Sequence, residues 1–349
     1  MDLEFTREQI ETYIFDTLTT SHPILKALNS GKLIIFVGAG MSVHLGLPSW
    51  RDFALRYLEM IYSNSNMTLM NFKTKESLKA EETKKLLSLC EYIGKNNLLD
   101  KQREEYYKKW FETNKSKVID GRLYEKLYRL NAIYLTTNYD NALDLIAEDG
   151  PFVRDEGDES RTPEVGSKKV FFDINEFNKE ILKPQNVIHV HGSVSDIKSM
   201  IISYGDYIKR YGINGNLHDE KRDIYSDFMS QIFSQKDFVV LFMGYGLEEI
   251  EILQFLFEGT IKDSKSYCNN RYLILPCFSD DYLKISFFSD YYKNNFGVSV
   301  IPCNMSEKGY NVLEDVLDHL LELSKSHYQE NDEITELKVG LKAIEEMFL

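Results

Sequence analysis

A short apolar segment, Leu33–Val37, runs directly into the glycine-rich sequence Gly38-Ala39-Gly40. An apolar run that contains β-branched residues and ends at glycine is typical of a buried strand in a parallel sheet. The glycines let the backbone turn tightly and approach a ligand more closely than a Cβ atom would permit. The segment after them can begin a helix whose free N–H groups favour a diphosphate. The spacing predicts a nucleotide site at this strand end; a plain tight turn is the alternative for the glycine pair alone.

Further apolar runs follow along the chain, separated by segments with helical patterns. The predicted strands are residues 32–37, 132–136, 170–173, 187–190, 238–243, 272–275 and 298–301, with another short apolar run at 199–203. Strands that alternate with helices indicate an α/β protein with a doubly wound, mostly parallel, Rossmann-like sheet. Because ligands bind such sheets at the carboxyl ends of the strands, the motifs that follow these strands are expected to meet at one edge.

The chain divides into three parts by pattern. Residues 52–130 are mostly helical and too long for a single crossover between strands, which predicts a helical insertion. We expect an N-terminal helical segment at 1–30, the sheet domain with its insertion at 31–325, and a C-terminal helix at 326–349. The last helix carries an apolar seam that could pack on the domain or on a partner.

Charge restricts the partners of the chain, which has 349 residues and a formal net charge of −14. An acidic surface repels phosphate backbones and therefore disfavours general nucleic-acid binding by this chain alone. A local basic patch is the alternative, but its lysines alternate with glutamates, which favours a solvated helix face. These lysines are Lys73, Lys75, Lys79, Lys84 and Lys85.

The cysteines argue against a zinc ribbon. The chain contains Cys90, Cys268, Cys277 and Cys303, and none of them forms Cys-x-x-Cys. Two close pairs of soft ligands are therefore missing, and we expect no metal. Scattered thiols fit a reducing cytosol. The N-terminus lacks a signal-peptide core, and no apolar run approaches the roughly 20 residues of a membrane span. We expect a cytoplasmic protein with no membrane partner.

Two predicted strands end in residues suited to chemistry. Asn138 and Asp140 follow strand 132–136; either could cap the next helix, but a cap needs only one of them. His191 ends the run 187–190 and precedes a glycine, and a neutral imidazole there suits proton transfer from a hydroxyl or a water. His189 points to the same face of the strand, and we interpret it as a half-buried structural histidine.

The first glycine motif extends further than a tight turn requires. It reads Gly38-Ala39-Gly40-Met41-Ser42, followed by Gly46-Leu47-Pro48-Ser49-Trp50-Arg51. This sequence resembles the opening signature of the sirtuin (silent information regulator) family of NAD-consuming enzymes. The pair Asn138 and Asp140 matches the family's Gln-Asn-x-Asp turn, with Thr137 in place of the Gln. That Thr form resembles the bacterial defence-associated branch, and His191-Gly192 matches the family's catalytic His-Gly.

The resemblance implies a role for each matched residue. The catalytic residues would be Asn138, which holds a ribose hydroxyl or the attacking water, and His191. The NAD-binding residues would be Gly38, Ala39, Gly40, Ser42, Trp50, Arg51, Asp140, Gly244 and Glu248. Asp140 would hold the nicotinamide carboxamide, and Arg51 would bind phosphate or organise its loop. Glu248 would bond the adenosine ribose, although capping a helix is equally open to it.

The absence of a zinc ribbon disfavours protein deacylation and favours hydrolysis of NAD to nicotinamide and ADP-ribose. In the defence branch such enzymes deplete NAD in abortive infection, and their partners include HerA-type ATPases, Argonaute-like proteins and phage structural proteins. We expect a homo-oligomer with a HerA-type ATPase partner. The alternatives are a module that senses NAD or ADP-ribose without turnover, and an NAD-dependent protein deacylase. NADP is not excluded as a substrate.

Overall fold

The computed structural model describes residues 4–64, 72–149, 168–211, 220–234, 237–262 and 270–325. Within them, seven strands form one sheet in which all six pairings are parallel. The strands are β1 (Leu33–Val37), β2 (Ala132–Thr136), β3 (Val170–Phe171), β4 (Val187–His189), β5 (Val239–Met243), β6 (Arg271–Cys277) and β7 (Ser299–Asn304). The predicted doubly wound α/β fold is confirmed.

The strand order explains where a ligand can bind. It is β3-β4-β2-β1-β5-β6-β7, so the chain builds outward from β1 on one side and then returns to pair β5 with the other side of β1. The crevice of a doubly wound sheet lies where the order reverses, outside the carboxyl ends of the central strands. Here that point lies between β1 and β5, next to β2.

Helices cover both faces of the sheet. In the described residues they are α1 (Arg7–Thr17), α2 (Pro23–Asn29), α3 (Ala39–Ser42), α4 (Trp50–Asn64), α5 (Phe72–Lys79), α6 (Thr83–Asn97), α7 (Asp100–Phe111), α8 (Lys115–Asp120), α9 (Leu123–Tyr128), α10 (Ala142–Asp149), α11 (Tyr204–Tyr211), α12 (Glu220–Ser234), α13 (Ile250–Lys262), α14 (Tyr282–Phe296) and α15 (312–325). None of them is both long and apolar enough to cross a membrane.

Three expectations from the sequence need adjustment. The N-terminal segment forms two helices that pack on the sheet, α1 against β7 and α2 against β5. The run 199–203 is not a strand, because a 3₁₀ turn at Ile197–Ser199 leads through an extended stretch into α11. The fourth strand ends at His189, so His191 lies in the following turn. The expected C-terminal helix at 326–349 and Cys268 lie outside the described residues.

The predicted insertion consists of helices α4 to α9 and has an aromatic core of its own. The core contains Phe53, Tyr57, Tyr107 and Trp110 together with Tyr139, which belongs to the loop after β2. The hydroxyls of Tyr57 and Tyr107 in this core donate to the buried Glu91 carboxylate. Arg103 neutralises that carboxylate at 3.0 Å. The insertion therefore packs directly against the edge of the sheet where a ligand is expected.

Arg271, at the start of β6, is a fully buried cation that joins three helices. Its guanidinium donates to the carbonyls of Phe233 near the end of α12, Leu256 in α13 and Phe296 at the end of α14. Carbonyls at helix C-termini lack partners within the helix and carry partial negative charge. Gly259 makes room for the guanidinium, because a Cβ there would lie 2.7 Å from the Phe233 carbonyl oxygen.

We predict that Arg271→Met lowers the free energy of unfolding by about 3 kcal/mol or more, because buried carbonyls lose their donor. Arg271→Lys keeps the charge but not the planar fork, so its loss is expected to be smaller. Urea unfolding followed by circular dichroism measures both. Arg7→Met is the control, since its ion pair with Asp280 is exposed and worth little. An unchanged urea midpoint for Arg271→Met contradicts this account.

Candidate functional site

A pocket opens at the carboxyl ends of β1 and β2, under the start of α4. Its walls come from the first glycine motif, the loop after β2, and the aromatic core of the insertion. The lining residues are Ala39, Ser42, Pro48, Ser49, Trp50, Phe53, Phe111, Thr137, Asn138, Tyr139 and Asp140. Five residues named from the sequence, Ala39, Ser42, Trp50, Asn138 and Asp140, therefore meet around one space.

The glycines at the base of this site lie directly against the backbone of the loop after β5. Gly40 N–H donates to the Gly244 carbonyl at 2.9 Å. A Cβ on Gly38 would lie 2.5 Å from Tyr245 Cα, and one on Gly40 would lie 2.8 Å from the Gly244 carbonyl oxygen. Gly244 itself has φ +61°, a conformation that glycine adopts without strain. These glycines are required for direct contact between the loops after β1 and β5, and a role with phosphate stays a prediction.

Ser42 is the centre of a buried hydrogen-bond network beside the pocket. Its hydroxyl donates to Asp140 Oδ2 at 2.7 Å. The oxygen then accepts from the Tyr124 hydroxyl at 2.6 Å and from Asn138 Nδ2 at 3.0 Å. A serine hydroxyl has one proton and two lone pairs, so its hydrogen-bonding capacity is fully used. The network holds one face of the pocket rigid.

Asn138 is oriented so that one polar atom remains available. Its Nδ2 group donates to the Gly38 carbonyl at 3.1 Å as well as to Ser42. Its Oδ1 atom is buried and has no hydrogen-bond partner among the described residues. A buried acceptor without a donor costs about 1–3 kcal/mol, and such atoms in native proteins point to strain or to a ligand. The carboxamide oxygen is thus prepared to accept a hydrogen bond in the pocket.

The sequence left open whether Asn138 or Asp140 caps the next helix. In the structure the cap is Asp140. Its Oδ1 atom accepts from the Ala142 N–H at 3.2 Å at the start of α10. Its other oxygen accepts from Ser42, so the carboxyl faces the pocket wall with both oxygens engaged. Burial raises the pKa of this carboxyl above its ordinary value. A contact with the nicotinamide carboxamide remains a prediction.

His191 lies fully buried in the turn after β4. The turn is tight because Gly192 has φ +82°, and a Cβ there would lie 2.6 Å from the Met200 nitrogen. The imidazole ring is 6.4 Å from the Trp50 ring and 5.4 Å from the Tyr207 ring, measured between centroids. Burial lowers the pKa of His191 well below its ordinary value, so the ring is neutral at physiological pH.

Glu249 places a carboxyl group close to this histidine. Its Oε2 atom lies 3.6 Å from His191 Nε2. Burial raises the pKa of Glu249 to about 7. Glu248, the residue named from the sequence, is exposed and does not line the pocket. Leu247, with φ +50°, turns the loop into α13, and a contact of Glu248 with the adenosine ribose stays a prediction.

His189 is fully buried, which corrects the expectation of a half-buried residue. Its Nε2 atom lies 2.7 Å from Asp144 Oδ1, and its Nδ1 atom lies 3.0 Å from the Asn138 carbonyl oxygen. Both ring nitrogens face acceptors, so only the doubly protonated ring satisfies both contacts. Burial opposes this charge, but Asp144 and the carbonyl outweigh it and raise the pKa of His189. The protonated His189 ring thus holds the backbone carbonyl of Asn138 in place.

Trp50 and Arg51 have different surroundings. The Trp50 ring lines the pocket and lies 5.3 Å from the Tyr139 ring. The Arg51 guanidinium donates to the carbonyls of Lys79 and Glu81, in the turn between α5 and α6. Of its two expected roles, Arg51 thus has the contacts of the residue that organises a loop. No group of three His, Cys, Asp or Glu side chains in the described residues could hold a metal ion.

Three residues of the site escaped the sequence analysis: Tyr124, Asp144 and Glu249. Tyr124 comes from the insertion and carries no local signal, because it reaches Ser42 only through the tertiary fold. Asp144 lies in the first turn of α10, four residues after Asp140, which precedes the helix. Glu249 is next to the residue that was named.

We predict that Asp144→Asn destabilises the protein by about 3–5 kcal/mol near pH 6, since it leaves a buried imidazolium without its counter-ion. The raised pKa of His189 gives stability that is present below the unfolded pKa and lost as pH rises through the folded pKa. The deficit is therefore expected to shrink by pH 9. Urea unfolding at both pH values tests this, with Asp237→Asn at an exposed ion pair as control. A deficit that grows with pH contradicts it.

A family model matches the central part of the chain. Residues 132–301 match the family model described as SIR2-like domain. The match runs from β2 into β7 and includes Asn138, His191 and Gly244, whereas the first glycine motif precedes it. No curated protein matches the chain. The SIR2-like family consists of NAD-dependent enzymes, which indicates an NAD-related enzymatic activity for this chain. Residues 132–301 of the chain are therefore a SIR2-like domain.

Proposed function

We propose that this protein is an NAD glycohydrolase, which cleaves the nicotinamide N-glycosidic bond to give nicotinamide and ADP-ribose. The observation that carries the proposal is the buried, unpartnered Oδ1 atom of Asn138 beside the pocket at the sheet's switch point. A hydroxyl of the nicotinamide ribose or a water is the donor that this atom needs. The SIR2-like match supports NAD as the molecule that brings the ribose.

The reaction requires little covalent chemistry from the protein. Nicotinamide leaves as a neutral base, because the C1′–N bond breaks and its electron pair neutralises the pyridinium. The ribose passes through an oxocarbenium-like state, and water attacks C1′. Neutral His191 takes the proton of that water or of a ribose hydroxyl, a role suited to an uncharged imidazole. Orienting the reactants is typically worth several kcal/mol of the barrier.

Each remaining residue has a binding role in this proposal. Trp50 covers the nicotinamide ribose from α4, and Ser42 and Asp140 form the wall against which the carboxamide lies. The loops that contain Gly38, Ala39, Gly40 and Gly244 hold the diphosphate. Glu248 lies at the outer end of the same loop for the adenosine ribose. Arg51 acts by fixing the turn between α5 and α6.

The biological setting is proposed from the resemblance to the bacterial defence branch. We propose that hydrolysis depletes NAD during antiphage abortive infection in the cytoplasm. A homo-oligomer with a HerA-type ATPase or another defence protein would control it. The outer faces of the insertion and the segment 326–349 are the proposed contact surfaces. A sensor without turnover and a deacylase remain the alternatives, and the first fits less well because sensing needs neither Asn138 nor His191.

We expect the purified protein, alone or with an ATPase partner, to release nicotinamide and ADP-ribose in equal amounts. Asn138→Ala and His191→Ala are expected to lower kcat at least 100-fold, the usual contribution of a positioned acid–base or orienting group. Liquid chromatography of the products measures the rates. Glu258→Gln, on the far side of α13, is the matched control and is expected to retain full activity.

Other outcomes would favour the alternatives. NAD binding by calorimetry that is unchanged in both variants, with no product from the wild type in either condition, points to a sensor. Release of acyl-ADP-ribose from an acylated lysine peptide points to a deacylase. Parallel assays with NADP decide whether the 2′-phosphate is accepted.

A further inference from the structure

Glu249 occupies a protected position at the start of α13. Its side chain is 17% exposed, and its Oε2 atom lies 3.6 Å from His191 Nε2. The hydroxyls of Tyr245, on the same loop, and Thr137, at the end of β2, adjoin the carboxyl. The loop therefore presents Glu249 to the imidazole and leaves Glu248 in solvent.

Two further charges near this pair are bound to each other. Lys84 on α6 pairs with Glu251 at 2.5 Å and lies 3.8 Å from the centre of the Tyr207 ring. This arrangement also corrects the expectation that Lys84 belongs to a solvated face. Arg210 on α11 contributes a further positive charge toward His191. Glu249 is therefore the anion placed to act on this histidine.

In the unliganded protein, it costs free energy to charge either His191 or Glu249. Burial penalises both the imidazolium and the carboxylate, so it lowers the pKa of His191 and raises that of Glu249. The balance changes once His191 accepts a proton, because an adjacent carboxylate then attracts the imidazolium in a medium of low dielectric constant. Such an interaction exists only after proton transfer, so it lowers the barrier without strengthening substrate binding.

We infer that Glu249 is the positioning residue of His191, which orients the imidazole and stabilises the positive charge that it acquires during NAD hydrolysis. The inference rests on the proposed function for the identity of the proton donor. The contact between the two side chains does not depend on it. Glu249 takes no atom from the substrate, and the proton moves from water or ribose to His191.

The kinetic test compares Glu249→Gln and Glu249→Asp with wild type between pH 5.5 and 9. We expect wild-type kcat to rise as pH increases through about 7, where Glu249 ionises. Glu249→Gln is expected to lower kcat 10- to 100-fold, to leave KM within about twofold, and to lose that rise. Glu249→Asp is expected to recover part of the rate. Glu258→Gln is the control on the same helix. An unchanged kcat in Glu249→Gln, or an effect on KM alone, overturns the inference.

A second measurement needs no turnover. In the unliganded protein, the ring resonances of His191 are expected to shift with a midpoint near pH 7 as the neighbouring carboxyl ionises. Glu249→Gln abolishes this transition, and circular dichroism confirms that the variant is folded. If the transition is present but no NAD is cleaved, the pair stands and the proposed function fails. If NAD is cleaved but the transition survives in Glu249→Gln, the inference about Glu249 fails and the proposed function stands.

Discussion

The contact of the Gly38–Gly40 turn with Gly244 determines the geometry of the whole site. It brings the loops after β1 and β5 together at a distance that side chains would prevent. With those two loops fixed, the Gly38 carbonyl holds the Asn138 carboxamide, and the loop after β5 delivers Glu249 to His191. One backbone contact therefore helps to position Asn138, in the loop after β2, and Glu249, in the loop after β5.

Two histidines separated by a single residue have opposite electrostatic properties. His189 meets a carboxylate and a carbonyl, so its positive charge is stabilised and its pKa rises. His191 meets aromatic rings and lies near a carboxyl whose pKa burial raises to about 7, and its own burial keeps the ring neutral. The first ring holds the Asn138 backbone, and the second remains free of charge for acid–base chemistry. Neighbours, not sequence spacing, decide which histidine has which role.

The sequence predicts the sheet and its ligand edge because strand periodicity and glycine turns are local properties. Ser42, Trp50, Asn138 and Asp140 do line one pocket, as strand ends in a parallel sheet must converge. Tyr124 was not predictable, since its partner Ser42 is 82 residues away in the chain. The positive φ of Leu247, which turns the loop into α13, is likewise revealed by no pattern of residue types.

The aromatic core of the insertion also contains a side chain from the loop after β2. Tyr139 packs among Phe53, Trp50 and Phe111, while its neighbour Asn138 faces the pocket. Its hydroxyl bonds to the Ile201 carbonyl, and the Ile201 N–H bonds to the His191 carbonyl. The insertion and the site are thus one mechanical unit. Any molecule that prefers one arrangement of these helices must change the affinity of the pocket, and by thermodynamic reciprocity an occupied pocket must change the affinity for that molecule by the same factor.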